Sequence, residues 1–186
     1  MISDFYELPE FVAAQADVIR KKMMEFKPDH ILMSYHGLPE SHMKTADLSG
    51  GEHCLRSATC CDQMIEVNRY CYRAQSYATS RALAKELKLN AGEWSVSFQS
   101  RLGREPWIQP FTDVVLSELY RKGVRRLMVV CPSFVADCLE TVEEIGIRAR
   151  DDWKALGGEA FMHAPCVNDH DLFVQGLVRL TGQLSM

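Results

Sequence analysis

The chain has 186 residues, 47% of them hydrophobic, and a formal net charge of −4, a balance that suits one ordinary soluble domain with its own core. The slight acidic excess gives no electrostatic reason to expect nucleic-acid binding, and no apolar run approaches the roughly 18–20 residues needed to cross a bilayer. The opening "MISDFYELPEF" lacks the basic and apolar regions of a secretory signal, so a cytoplasmic location is the expectation.

Taken in chain order, the pattern alternates helix and strand. Residues 8–26 place Phe11, Ala14, Val18, Met23 and Phe26 at helical spacing, and Lys27-Pro28-Asp29 stops that helix. "HILMSY" is a short apolar strand that ends in Tyr35-His36-Gly37. Residues 37–61 are rich in Gly, Ser, His and Pro and read as a long irregular connection, a length that is usually functional or mobile. A long helix is expected over 62–88, with Tyr70, Ala74, Tyr77, Ala78, Leu83 and Leu87 among its apolar positions. "EWSVSFQS" is a second strand and "RLGREPWIQP" a loop. A helix over 111–121 ends at Gly123. "RRLMVVCP" is the most apolar strand, as a central strand covered on both faces should be. A helix over 137–155 follows, then a strand in "GEAFMHAP" and a last helix over about 169–181.

Strands separated by helices imply right-handed crossovers and a parallel sheet covered on both faces. The expected fold is a single doubly wound α/β domain, flavodoxin-like, with four parallel strands. In such sheets chemistry sits beyond the carboxyl ends of the strands, and His36 lies at one of them. A lone histidine there is ordinarily a hydrogen-bonding loop residue. His36 has company, however. "CPSFVADCLETVEEI" follows the third strand and opens a helix, with Asp137 as the expected N-cap and Cys138, Val142, Ile145, Ala149 and Trp153 as its apolar stripe. Glu140 and Glu144 are four apart and share another face; a solvated acidic face explains them equally well. Trp107 sits in a Gly- and Pro-rich loop, where an aromatic suits either a flat apolar ligand or plain packing under a loop.

With "SYHGLP", "FQSRLGREPWIQPFTD" and "CPSFVADCLETVEEI" in that order and spacing, the chain resembles the ferrochelatases, enzymes that insert ferrous iron into a porphyrin to make haem. The resemblance runs from about residue 5 to the C-terminus. Ser133 stands where the family usually has glycine, and Cys138 where some members have histidine. The resemblance implies a chelatase-type fold and these roles: His36 as the active-site histidine, Glu140 as the essential carboxylate, and Asp137 and Glu144 as members of an acidic row leading to the metal. Arg148 stands where that row often continues. Tyr35, Ser100, Trp107 and Phe134 resemble residues lining the porphyrin cleft. Family members have two similar α/β domains, and residues 1–186 match the C-terminal one. An N-terminal domain is therefore an implied partner, along with a porphyrin (protoporphyrin IX) and Fe2+ as the substrate metal. Peripheral membrane contact is left open, because the porphyrin is apolar and the obvious lip belongs to the other domain.

Seven cysteines are many for such a chain. Cys54, Cys60, Cys61 and Cys71 crowd one segment, while Cys131, Cys138 and Cys166 are scattered. Four free thiols in a mobile loop are the plain reading. Zinc suits them poorly, since adjacent Cys60 and Cys61 strain a single tetrahedral ion and no C-x2-C pairs occur. Four thiolates do suit a [2Fe–2S] cluster, with His53 as a substitute ligand. Some ferrochelatases carry such a cluster near the C-terminus, and a subset of bacterial members use an internal set, which this one resembles. Two other functions compete: a non-enzymatic Fe–S or haem-binding module of flavodoxin-like fold, and a chelatase for another metal or tetrapyrrole.

Overall fold

The computed structural model describes residues 2–182; residues 1 and 183–186, the outermost positions of the expected domain, lie outside the described residues. Helix α1 (Pro9–Phe26) starts on proline at its first turn and ends at Lys27 in the left-handed conformation. Strand β1 (His30–His36) follows. Then come α2 (Glu40–Thr45), a 3-10 turn at Glu66–Asn68, α3 (Tyr72–Leu87) and β2 (Trp94–Gln99). The second half holds α4 (Thr112–Arg121), β3 (Arg126–Val130), a π-helical segment (Glu140–Ala149) running on into α5 (Arg150–Ala155), β4 (Ala160–His163) and α6 (Asp171–Gly182).

The strands form one parallel sheet in the order β2-β1-β3-β4. This is the expected doubly wound α/β architecture. Side chains alternate across a strand, and the two faces of the sheet separate accordingly. Ile31, Met33 and Tyr35 join Val96, Phe98, Met128 and Val130 in a core shared with α1 and α3. Leu32, Leu127 and Val129 face the other way, onto α4, Ile145, Ala149 and Trp153. A third cluster locks α6 onto α1 through Phe11, Ala14 and Phe173. No helix among the described residues is long and apolar enough to cross a membrane.

Four expectations are corrected. The helix expected from 62 begins at Tyr72, and Tyr70 is exposed. The connection at 37–61 is not wholly irregular, because α2 lies within it. The helix expected from 137 begins after Cys138, and Asp137 does not cap it. Both Asp137 carboxylate oxygens are drawn instead toward the β4–α6 connection, where Cys166 N and Asn168 Nδ2 donate to them at 3.2 and 2.9 Å. Lastly, of the expected stripe only Ile145, Ala149 and Trp153 are buried. Val142 is exposed and Cys138 half-buried, because π winding, with its i→i+5 bonds, does not keep the α-helical period.

Candidate functional site

The register of the sheet sets His36 beside Gln99 at the carboxyl ends of β1 and β2. Even-numbered β1 residues face α4 and the π segment, so His36 shares its face with Ser34. The His36 amide donates to Ser133 Oγ at 3.2 Å, which ties β1 to the loop after β3. Its ring lies 6.1 Å from the Phe134 ring, centroid to centroid. Nδ1 stands 2.5 Å from the Gly37 carbonyl oxygen. A carbonyl only accepts, so Nδ1 carries the proton of the neutral imidazole and Nε2 keeps its lone pair free.

Gly37 is required here by steric contact. A Cβ would stand 2.7 Å from the Gln99 carbonyl oxygen and 3.2 Å from Trp107 Cε3. The Gly37 amide donates to that same carbonyl at 2.7 Å, and Ile108 N to Leu38 O at 3.0 Å. The loop that carries Trp107 is thereby stapled across the end of β1. The indole N–H donates to Leu102 O at 2.9 Å, and its half-buried ring covers Gly37 beside His36.

The acidic residues enter from the π segment. Glu140 is half-buried. Its carboxyl is held below the usual glutamate value by its own backbone amide, then by the Cys138 thiol, with the positive charge available on His36 adding to both. Glu144 is anchored more firmly. It accepts from Ser100 N at 2.8 Å, Ser100 Oγ at 2.5 Å and Gln99 Nε2 at 3.2 Å. Ser100 meets it from a left-handed conformation, φ 65°, a strained setting for a residue with a Cβ. Beyond Glu144 a polar cleft runs between β2, α4 and the π segment toward Arg148 and Asp152. Arg148 is turned to Glu143, Nη2 to Oε2 2.8 Å.

His36, Ser100, Trp107, Phe134, Glu140 and Glu144 thus gather at one rim. Two expected site residues do not join them in the same way. Tyr35 has the opposite strand parity: it is 2% exposed and its hydroxyl lies 2.7 Å from Ser80 Oγ on α3. Asp137 is exposed and occupied with Cys166 and Asn168. Its carboxyl feels burial pushing its pKa up, but the bonds from Asn168 and Cys166 and the charge of His163 prevail and lower it. The sequence reading gave no role to Gln99 or Ser34. Their signal was polar residues at alternating positions of otherwise apolar strands.

The four clustered cysteines are all buried, in the same core as Tyr35 and Met43. They line one narrow cavity of about 10 Å³ with Met43, Asp47, His53 and Asn68. The sulfurs of Cys60 and Cys61 lie 3.7 Å apart. Burial pushes the Cys54 thiol up to about 11 and raises Cys60. Cys61 is raised because it donates to Cys71 and is buried, while Cys71 is lowered by accepting that bond. The surrounding loop is a hydrogen-bonded scaffold. Asp47 accepts from Cys54 N, Ser49 N and Ser49 Oγ, which hold its carboxyl well below the usual range. Buried Asn68 donates to Cys60 O and Gln63 O. The His53 ring is engaged with Cys60 O at 2.9 Å. Among the described residues no three His, Cys, Asp or Glu side chains are arranged to hold a single metal ion.

Comparison with known proteins gives the family. A family model described as Ferrochelatase matches residues 1–184. A ferrochelatase of Legionella pneumophila (strain Lens) is 45% identical over 98% of this chain and 53% of its own length. Ferrochelatases of Pseudomonas putida (strain W619) and Azotobacter vinelandii are 45% and 46% identical, each over 97% of this chain and 53% of the relative. The chain spans about half the length of the curated relatives it matches. On this evidence the chain belongs to the ferrochelatase family.

Proposed function

We propose that this chain inserts Fe2+ into a porphyrin, protoporphyrin IX, to form haem, acting as the C-terminal chelatase domain of a two-domain enzyme whose other domain closes the cleft. The observation that carries the reading is the meeting of His36 and Glu140 at one rim, walled by Trp107 and Phe134. Metalation places Fe2+ among the four pyrrole nitrogens and releases two protons. His36 Nε2, with its lone pair free, accepts a pyrrole proton near neutral pH. Glu140, ionised across the physiological range, holds the divalent ion as it sheds water or takes the second proton. Glu144 continues the acidic row toward the polar cleft, while Asp137 is held by Cys166 and Asn168. Trp107 and Phe134 grip the macrocycle from two loops, and Ser100 lies at its edge. A bent macrocycle turns a nitrogen lone pair toward the metal.

The test is anaerobic insertion of ferrous iron into protoporphyrin, followed by absorbance. The samples are this chain and its His36→Ala variant, each alone and joined to the remaining half of the Legionella pneumophila relative. The joined chain should turn over, the chain alone should do so poorly, and His36→Ala should lose roughly 10²–10⁴-fold. Normal turnover by His36→Ala overturns the assignment. Insertion of cobalt in preference to iron would instead indicate a chelatase for another metal. Absence of metalation in every sample would leave a non-enzymatic haem- or cluster-binding module.

A [2Fe–2S] cluster in the cysteine loop is a proposal from the number and kind of its donors, not from their arrangement, since no three metal-binding side chains converge among the described residues. Four thiols line one small buried cavity, and the Cys61 thiol lowers the pKa of Cys71. Cys54, Cys60, Cys61 and Cys71 would be its ligands. Iron insertion involves no electron transfer, so the cluster would brace the loop or report oxidants. Anaerobically purified protein should contain iron and acid-labile sulfide in equal amounts, and Cys54→Ser should lose both. Protein with neither would remove the cluster from this account. Contact with a membrane surface would belong to the other domain's lip; flotation of this chain with anionic vesicles, which should fail, tests that placement.

A further inference from the structure

We infer that Gln99 is a positioning residue that fixes the acidic π segment against the end of β2, and that a buried hydroxyl pair sets the direction in which its amide points. The inference rests on the iron-insertion reading for its kinetic consequence, but not for its geometry.

Gln99 is 3% exposed. Its Nε2 donates to two acceptors on the π segment: the Glu140 carbonyl oxygen at 2.9 Å and Glu144 Oε2 at 3.2 Å. Its Oε1 accepts from Ser34 Oγ at 2.8 Å. Ser34 is fully buried, and its hydroxyl also lies 2.9 Å from Thr112 Oγ1 on α4. Both ends of the amide therefore agree. A carbonyl and a carboxylate can only accept, so the amine must face the π segment, and the oxygen is left to the Ser34 hydroxyl and, at 3.7 Å, the Cys131 thiol. Flipping the amide would set its oxygen against two other oxygens in a water-poor setting, where unmet polar groups are costly.

The consequence is mechanical. The π segment begins with the carboxylate that faces His36, and its first carbonyl is held by a side chain rooted in the sheet. One amide grips both the first residue of that segment and the carboxylate four residues on. Without it, Glu144 would keep only its Ser100 bonds, and the Glu140 backbone would lose its tie to β2. Gln99 is bonded to Glu140 and Glu144 and acts through them.

The test uses the joined protein described above with three variants: Gln99→Met, Gln99→Glu and Ser34→Ala. Backbone hydrogen exchange is followed at residues 140–149, with residues 126–130 of β3 as an internal reference. Initial rates give separate KM values for iron and porphyrin. A bond to a charged partner is expected to shift such constants about tenfold or more. Gln99→Met should speed exchange at 140–149 about tenfold, leave 126–130 unchanged, raise the iron KM about tenfold and keep the porphyrin KM within about twofold. Ser34→Ala should move the same quantities less. Gln99→Glu should match Gln99→Met while its new carboxyl is ionised and recover as falling pH restores a donor, a profile that a merely structural defect would not give. Unchanged exchange at 140–149 in Gln99→Met overturns the inference, and so does a loss of protection shared with 126–130 or a parallel rise in both KM values. Should the unmutated joined protein insert no iron, the functional reading falls, and exchange alone still decides for or against the clamp.

Discussion

Replacing Gly37 by alanine tests the steric argument at the site most directly. The backbone there is not in the left-handed region, so the added methyl brings contact rather than dihedral strain. It would stand 2.7 Å from the Gln99 carbonyl oxygen, a backbone atom, and 3.2 Å from Trp107 Cε3. A comfortable carbon–oxygen approach is about 3.3–3.6 Å, so β1 or β2 must give by more than half an ångström. The same carbonyl accepts the Gly37 amide, and separation weakens that bond too. Overpacking of this kind costs about 1–3 kcal/mol, and a backbone hydrogen bond adds about 1 kcal/mol. For a domain of this size 1 kcal/mol lowers Tm by about 2–4 °C, so a fall of about 5–15 °C is expected. Urea unfolding followed by circular dichroism gives the free energy at constant m. Gly146→Ala is the control: its Cβ meets Thr141 O at 3.5 Å and His163 Nδ1 at 3.9 Å, ordinary contacts. It should be neutral or stabilised by up to about 1 kcal/mol. Gly37→Ala within about 0.5 kcal/mol of the parent, the usual range of a surface change, would refute the reasoning.

Three other outcomes follow from the site. Tyr35→Phe removes a buried hydroxyl from Ser80, which retains its bond to Ser76 O; stability should drop by about 1 kcal/mol while the porphyrin KM in the joined protein stays unchanged, and a raised KM would return Tyr35 to the cleft. Cys138→Ala takes away a donor that lowers the Glu140 pKa, so the acid limb of the iron-insertion pH profile should move to higher pH; an unmoved limb would show that the thiol does not act on Glu140. Asp137 has a folded pKa below its ordinary value, so its contribution is present above the unfolded value of about 3.9 and is lost as pH falls through the folded one. Asp137→Asn should therefore flatten the loss of stability expected of the parent as pH falls below about 4, measured by acid titration.

Most of the fold was legible because hydrophobic patterning dominates it. The strand at His30–His36 and the apolar run at Arg126–Val130 announced a covered parallel sheet. What patterning could not convey was local winding. A π segment spaces its buried residues differently from an α-helix, so Val142 reads as core and is exposed, while Thr141, fully buried, reads as neutral. Asp137 has the composition of an N-cap, but tertiary contacts with Asn168 outbid the local one. Tyr35 shows a different failure: strand parity, available from the sequence, already sends it away from His36. Gln99 was legible only as a polar residue in an apolar strand, since its partners lie 41 and 65 residues away.

The bond between the His36 amide and Ser133 spans 97 residues, and that between Ser100 and Glu144 spans 44. The rim draws on three crossovers, with His36 after β1, Ser100 and Trp107 after β2, and Phe134, Glu140 and Glu144 after β3, and no one of them completes it. Closing such loops carries an entropic cost before any contact rewards it. A growing or half-folded chain therefore displays isolated histidines and carboxylates but no rim. The rim, and whatever chemistry it carries, therefore arises only with the finished sheet and never from any one stretch of the chain.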